Sequence, residues 1–137
     1  MIINEQEIHD ICKRYLISNY TINPDGSIDV DGDVSLANGR LEKLPLKFNK
    51  VSGDFYCSWE ELKTLEGCPK EIGGDFFCSY NKLKTLEHSP LIIYGTFYCN
   101  DNPLESLEGL NITIDKLHCN NKEKLIRKTK LKILESL

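Results

Sequence analysis

The chain has 137 residues, 40% of them hydrophobic and 28% charged, with a formal net charge of -4. Those values fit one domain of ordinary soluble globular composition. No apolar run reaches the ~18 residues of a membrane span. Met1-Ile2-Ile3-Asn4-Glu5 lacks the basic and apolar regions of a secretion signal, so a cytoplasmic protein with no membrane partner is expected.

The first element is a predicted helix. Asn4 and Glu7 form a capping-box pair, with Ile3 and Ile8 at the staple positions around it. Ile8, Ile11, Cys12, Tyr15 and Leu16 continue at amphipathic helical spacing. Asn23-Pro24-Asp25-Gly26 then predicts a hairpin turn, because proline presets φ and glycine admits positive φ. The strand after it is expected to place Ile28, Val30, Gly32, Val34 and Leu36 on one face and Asp29, Asp31, Asp33 and Ser35 on the other. Hairpin and following units would then share one sheet.

A short phrase repeats from there on. Gly53-Asp54-Phe55-Tyr56-Cys57, Gly74-Asp75-Phe76-Phe77-Cys78 and Gly95-Thr96-Phe97-Tyr98-Cys99 recur every 21 residues. Gly32-Asp33-Val34-Ser35-Leu36 precedes them by 21 residues, and Lys116-Leu117-His118-Cys119 follows after 20. A fixed period of this length predicts a stacked solenoid whose units bury their apolar faces against one another. Asn81 and Asn102 occupy one repeat position, where the amide would bond to backbone groups at a bend. Glu60 and Gly39 depart from it and would break that ladder. Beyond the bend, Leu62-Lys63-Thr64-Leu65, Leu83-Lys84-Thr85-Leu86 and Leu104-Glu105-Ser106-Leu107 lead into Pro- or Gly-containing segments. Extended or polyproline-like backbone is expected there rather than a helix.

These units resemble the leucine-rich-repeat-like proteins of bacteria and tailed phages, and more distantly the short repeats of secreted bacterial effectors. The resemblance covers roughly residues 27 to 120. It implies an α/β repeat solenoid with a leucine-rich-repeat-like parallel sheet. The single domain would comprise a helix-and-hairpin cap over residues 1–26, repeats over 27–120 and a helical cap over 121–137. The effector ubiquitin ligases carry a separate catalytic domain, which this chain is too short to hold. The last segment reads as a helix capped by Asn120 or Asn121, with Ile126, Ile133 and Leu137 toward the final repeat. Lys124, Arg127, Lys128, Lys130 and Lys132 would stay in water.

Strand alternation sorts the repeat residues into columns. Val34, Phe55, Phe76, Phe97 and Leu117 would point inward with Leu36, Cys57, Cys78, Cys99 and Cys119. Ser35, Tyr56, Phe77, Tyr98 and His118 would point out onto a concave sheet. Asn38, Trp59, Tyr80, Asp101 and Asn121 form a second outward column. Asp33, Asp54, Asp75, Thr96 and Lys116 form a third, whose adjacent carboxylates would repel unless a cation or basic partner neutralised them. In-register strands hold equivalent side chains ~4.8 Å apart, whereas a disulfide needs Cβ atoms at about 3.8 Å. The cysteines are therefore expected as reduced, buried thiols, with no metal or other cofactor.

Catalytic chemistry is not written here. His9, His88 and His118 lie in separate segments, Cys119 and His118 face opposite sides of a strand, and no phosphate loop or metalloprotease motif occurs. An exposed aromatic patch usually marks an interaction site, and Tyr and Trp dominate hot spots. The expectation is a non-catalytic protein-binding module whose candidate residues are Tyr56, Trp59, Phe77, Tyr80, Tyr98, His118, Asp33, Asp54 and Asp75. Its partner would be a protein, basic in character. The phage-like resemblance suggests an inhibitor or adaptor of a host enzyme or defence component. The alternatives are nucleic-acid binding through the basic tail, which carries seven of the 17 basic residues against two acids from Lys116 onward, and self-assembly. Acidic residues beside the aromatics argue against nucleic acid, and the oligomeric state is left open.

Overall fold

In the computed structural model, which describes residues 3–37 and 40–137, the first helix, α1 (Glu5–Arg14), starts at the predicted cap. The Glu7 N–H donates to Asn4 Oδ1 at 2.8 Å, and the Asn4 side-chain amide donates back to Glu7 Oε1 at 3.0 Å. Ile8 and Cys12 are buried in the common core. Leu16 is not on the stripe: the helix has ended, Leu16 has φ 56°, and its side chain is exposed while Ile17 is buried instead.

The hairpin pairs β1 (Tyr20–Ile22) antiparallel with β2 (Ile28–Val30). At its turn the Gly26 N–H reaches Asn23 O at 2.9 Å with φ 85° at the glycine. The expected continuous strand from Ile28 to Leu36 is instead two strands. The chain bends at Asp31-Gly32, where Gly32 has φ 135°, and β3 (Val34–Ser35) belongs to a different sheet. The inward and outward alternation is kept, because both strands border the same core.

Each later coil repeats this division. β4 (Phe48–Val51), β6 (Glu71–Ile72) and β8 (Ile92–Ile93) continue the hairpin sheet in the order β1-β2-β4-β6-β8. β5 (Phe55–Tyr56), β7 (Phe76–Phe77), β9 (Phe97–Tyr98) and β10 (Leu117–His118) form the other sheet with β3 at one edge. All pairings after the hairpin are parallel. The segments from Leu62, Leu83 and Leu104, expected to be extended rather than helical, hold no helix. The chain beyond the first two enters a second sheet built on Phe48, Val51, Ile72 and Ile93, all buried. The protein is a β-solenoid of parallel sheets flanked by two helices.

Between the sheets, Phe48, Phe55, Phe76 and Phe97 form a continuous run of ring contacts with centroids 4.8–5.7 Å apart. Cys57, Cys78 and Cys99 are fully enclosed beside them, and all six cysteines are free. Burial alone pushes the Cys68 thiol far above its ordinary value, and does the same first and foremost to Cys57 and Cys78. Leu62, Leu65, Leu83, Leu86 and Leu107 line the remaining wall.

The asparagine ladder carries the bends. Asn81 Nδ2 donates to Cys57 O and Cys78 O, both at 3.0 Å, while its Oδ1 accepts from the Leu62 N–H at 3.0 Å. Asn102 repeats the pattern one coil later with Cys78 O, Cys99 O and the Leu83 N–H. Glu60 does not break the ladder as expected: it is buried, and its carboxylate accepts from the Leu41 N–H at 3.3 Å, as the amide oxygens do elsewhere. Gly39 lies outside the described residues.

The second helix, α2 (Lys122–Glu135), follows Asn121, whose φ of 56° leaves its side chain without a capping bond. Asn120 Oδ1 accepts from the Asp101 N–H instead. Leu125 is buried and Ile126 packs on the core, but Ile133 and Leu137 are exposed, contrary to expectation. The helix outruns the last coil, so its final turns have nothing to cover. No described helix is long and apolar enough to cross a membrane.

Candidate functional site

Register places the outward columns. Ser35 pairs with Tyr56, Tyr56 with Phe77, Phe77 with Tyr98 and Tyr98 with His118. Because each strand alternates, all five side chains project away from the buried Val34, Phe55, Phe76, Phe97 and Leu117. Tyr56 and Phe77 stack at 4.8 Å with planes 3° apart, and Phe77 and Tyr98 at 4.9 Å and 6°. His118 tilts by 54° against Tyr98, and its Nδ1 accepts from the Asn100 side-chain amide Nδ2 at 3.0 Å.

The second column is more unusual. Trp59 and Tyr80 stack at 3.8 Å and 7°. They hold φ of 60° and 58°, and Asp101 and Asn121 hold 57° and 56° at the same place in later coils. Left-handed backbone suits Asn and Asp and disfavours bulky side chains by about 1–3 kcal/mol. Two coils therefore carry large rings where the turn favours small polar residues, and Trp59 remains 67% exposed. Asn38, predicted for the same column, lies outside the described residues.

The aspartate column has an internal explanation that sequence reasoning missed. Asp33 Oδ1 accepts from the Asp54 N–H, Asp54 Oδ1 from the Asp75 N–H, and Asp75 Oδ1 from the Thr96 N–H, each at 2.7 Å. The carboxylates are bound by amide donors of the next coil, so their repulsion needs no outside cation. The glycine before each aspartate makes room for this: a Cβ on Gly53, Gly74 or Gly95 would lie 2.0–2.1 Å from the preceding coil's carboxylate oxygen. The readable signal was the coupling of the two letters. Where Asp115 replaces the glycine, its predecessor in the column is Thr96 rather than an aspartate.

Net negative charge nevertheless stays on this face. The Tyr56 hydroxyl donates to Asp54 Oδ2 at 3.0 Å. That hydrogen bond first, then desolvation, then the charges of Asp54, Asp33 and Asp75 push the Tyr56 phenol above its ordinary value. All nine predicted residues therefore lie along the outer side of the β3–β10 sheet or at its adjoining bends.

Two surface features went unpredicted. Leu91, Ile92 and Tyr94 are exposed along β8, the open edge of the second sheet, in places where earlier coils carry Lys70, Glu71 and Gly73. The apolar run Leu91-Ile92-Ile93-Tyr94 was the available signal. A concavity of about 500 Å³ lies on the second sheet among Thr21, Asp31, Lys50 and Glu71, and no aromatic-column residue lines it. Among the described residues, no three His, Cys, Asp or Glu side chains converge as metal ligands would.

Compared with known family models, curated proteins and solved structures, the chain has no match.

Proposed function

We propose that this protein is a non-catalytic recognition module that grips a protein partner through the aromatic and acidic outer face of its β3–β10 sheet. The observation that carries this reading is the stacked pair Trp59–Tyr80, held in left-handed backbone and largely exposed. Core packing does not require these rings, and the turn disfavours them. Beside them, Tyr56, Phe77 and Tyr98 add a rigid column whose rings lose little entropy on binding. Asp33, Asp54 and Asp75 give the face a negative potential suited to a basic partner.

The repeat unit's likeness to leucine-rich-repeat-like proteins of bacteria and phages supports an inhibitor or adaptor acting on a host enzyme or defence component. Six free thiols suit the reducing cytoplasm. Nucleic-acid binding through Lys124, Arg127, Lys128 and Lys132 is the weaker reading, because the aromatic columns that would stack on bases lie among carboxylates.

The test is affinity capture from host lysate with wild-type protein and a Tyr56→Ser/Phe77→Ser/Tyr98→Ser variant. The variant is expected to keep its cooperative thermal melt and lose the specifically captured partner. Undiminished capture by the folded triple variant would overturn the assignment.

A further inference from the structure

Resting on that reading, we infer that the first-coil end of the aromatic column is a seat for an arginine side chain of the partner, stacked on Tyr56 above Ser35 and paired with Asp33. Tyr56, Phe77 and Tyr98 cover one another's faces within the column. The column stops at Ser35, on the edge strand β3, where register would otherwise place another ring. Tyr56 accordingly stays 38% exposed, whereas Phe77 and Tyr98 are only part-exposed between neighbours. One coil step of ~4.8 Å admits a single planar group over that ring.

The charge at this position selects which planar group. Asp33 is exposed one coil above Asp54, and one oxygen of each is engaged by a backbone amide while the negative charge remains. After the hydrogen bond to Asp54 and desolvation, the charges of Asp54, Asp33 and Asp75 also raise the Tyr56 phenol. A guanidinium is both planar and cationic: it stacks on an aromatic face and presents a fork of N–H donors to a carboxylate. A lysine ammonium meets the charge without the plane, and a neutral aromatic meets the plane without the charge.

The experiment titrates the intact protein with three capped peptides of alternating glycine and a test residue: arginine, lysine or citrulline. Calorimetry gives affinity, and side-chain NMR reports ring-current shifts. The arginine peptide is expected to bind about five-fold tighter than the neutral citrulline peptide, as for a cation over an exposed ring. It should also bind tighter than the lysine peptide, whose ammonium lacks the stacking plane, with upfield-shifted guanidinium-adjacent protons. Ser35→Tyr should extend the column, leave the melt unchanged or higher, and remove that preference. Asp33→Asn keeps the acceptor for the Asp54 N–H, so it supplies a folded second variant, expected to narrow the gap between arginine and citrulline.

Equal binding of arginine and lysine, binding by none of the three, or an arginine preference that survives Ser35→Tyr would each overturn the inference. The broader face is judged separately. Lost capture by the triple ring variant, with no arginine preference, keeps the recognition face and removes the arginine seat. Retained capture removes the face itself.

Discussion

Gly74 shows how closely single residues are specified by the coil above them. Its missing Cβ leaves the space that Asp54 Oδ1 occupies, and a methyl group there would sit 2.0 Å from that oxygen. Gly74→Ala is expected to push the carboxylate off the Asp75 N–H and lower stability by about 1–3 kcal/mol, the cost of an unsatisfied part-buried donor. Because the two residues share one contact, adding Asp54→Ala should cost about 1 kcal/mol less than the sum of the single changes. Urea denaturation of the four proteins checks this, and strict additivity would contradict it. The glycine was visible in sequence only as a letter of the motif; its reason, Asp54, lies 20 residues earlier. Trp59 was likewise readable as an exposed ring, but its left-handed φ was not, since that follows from the bend geometry common to four coils.

At the level of elements, α2 divides into two parts. Leu125 is buried, and Thr129 accepts the Leu107 N–H at 2.8 Å while donating to Leu125 O, so the first half is fastened to the last coil. From Lys130 onward every residue is exposed. Leu125→Ala should therefore destabilise the protein by roughly 2–3 kcal/mol, as for a buried leucine. Deleting 133–137 should change stability by less than about 0.5 kcal/mol. Thermal and urea unfolding of both variants distinguish the halves; a large loss on truncation would mean the distal turns are fastened as well. Periodicity alone placed Ile133 and Leu137 on the docked side, because the stripe runs on past the point where the solenoid offers a surface. The second sheet was missed for a related reason. Its strands are two to four residues long, and so short a segment has too few alternations to read as a strand.

Over the whole molecule, the coils hold one continuous core whose ends must be closed, and the hairpin closes one of them. Asp25 accepts from the Ser27 hydroxyl and N–H and pairs with Lys47, which hold its carboxyl far below the usual carboxylate range. Burial raises Asp29, but bonds from Asn49, Asn23 and the Lys50 N–H outweigh it and leave its pKa lowered. A carboxylate whose folded pKa is depressed contributes its full stabilisation above the unfolded pKa of about 3.9, and loses it as pH falls through the folded value. The melting temperature should therefore owe no change to these two groups above about pH 5 and should fall below about pH 4. Asp29→Asn should lower the melt at pH 7 and flatten the acid limb. An acid limb identical to wild type would show that the hairpin carboxylates do not govern it.

The spacing of the motif and the alternation within it told which side chains stack, which point inward and that the thiols remain unbridged. Those are properties of a period and a pleat, and both are written in residue order. Residue order could not say that each coil would turn into a second sheet, that the aspartates would be held by amides of the next coil, or that the terminal helix would overrun its support. Each of those depends on what the neighbouring coil presents a few ångströms away, and only the packed chain brings those groups together.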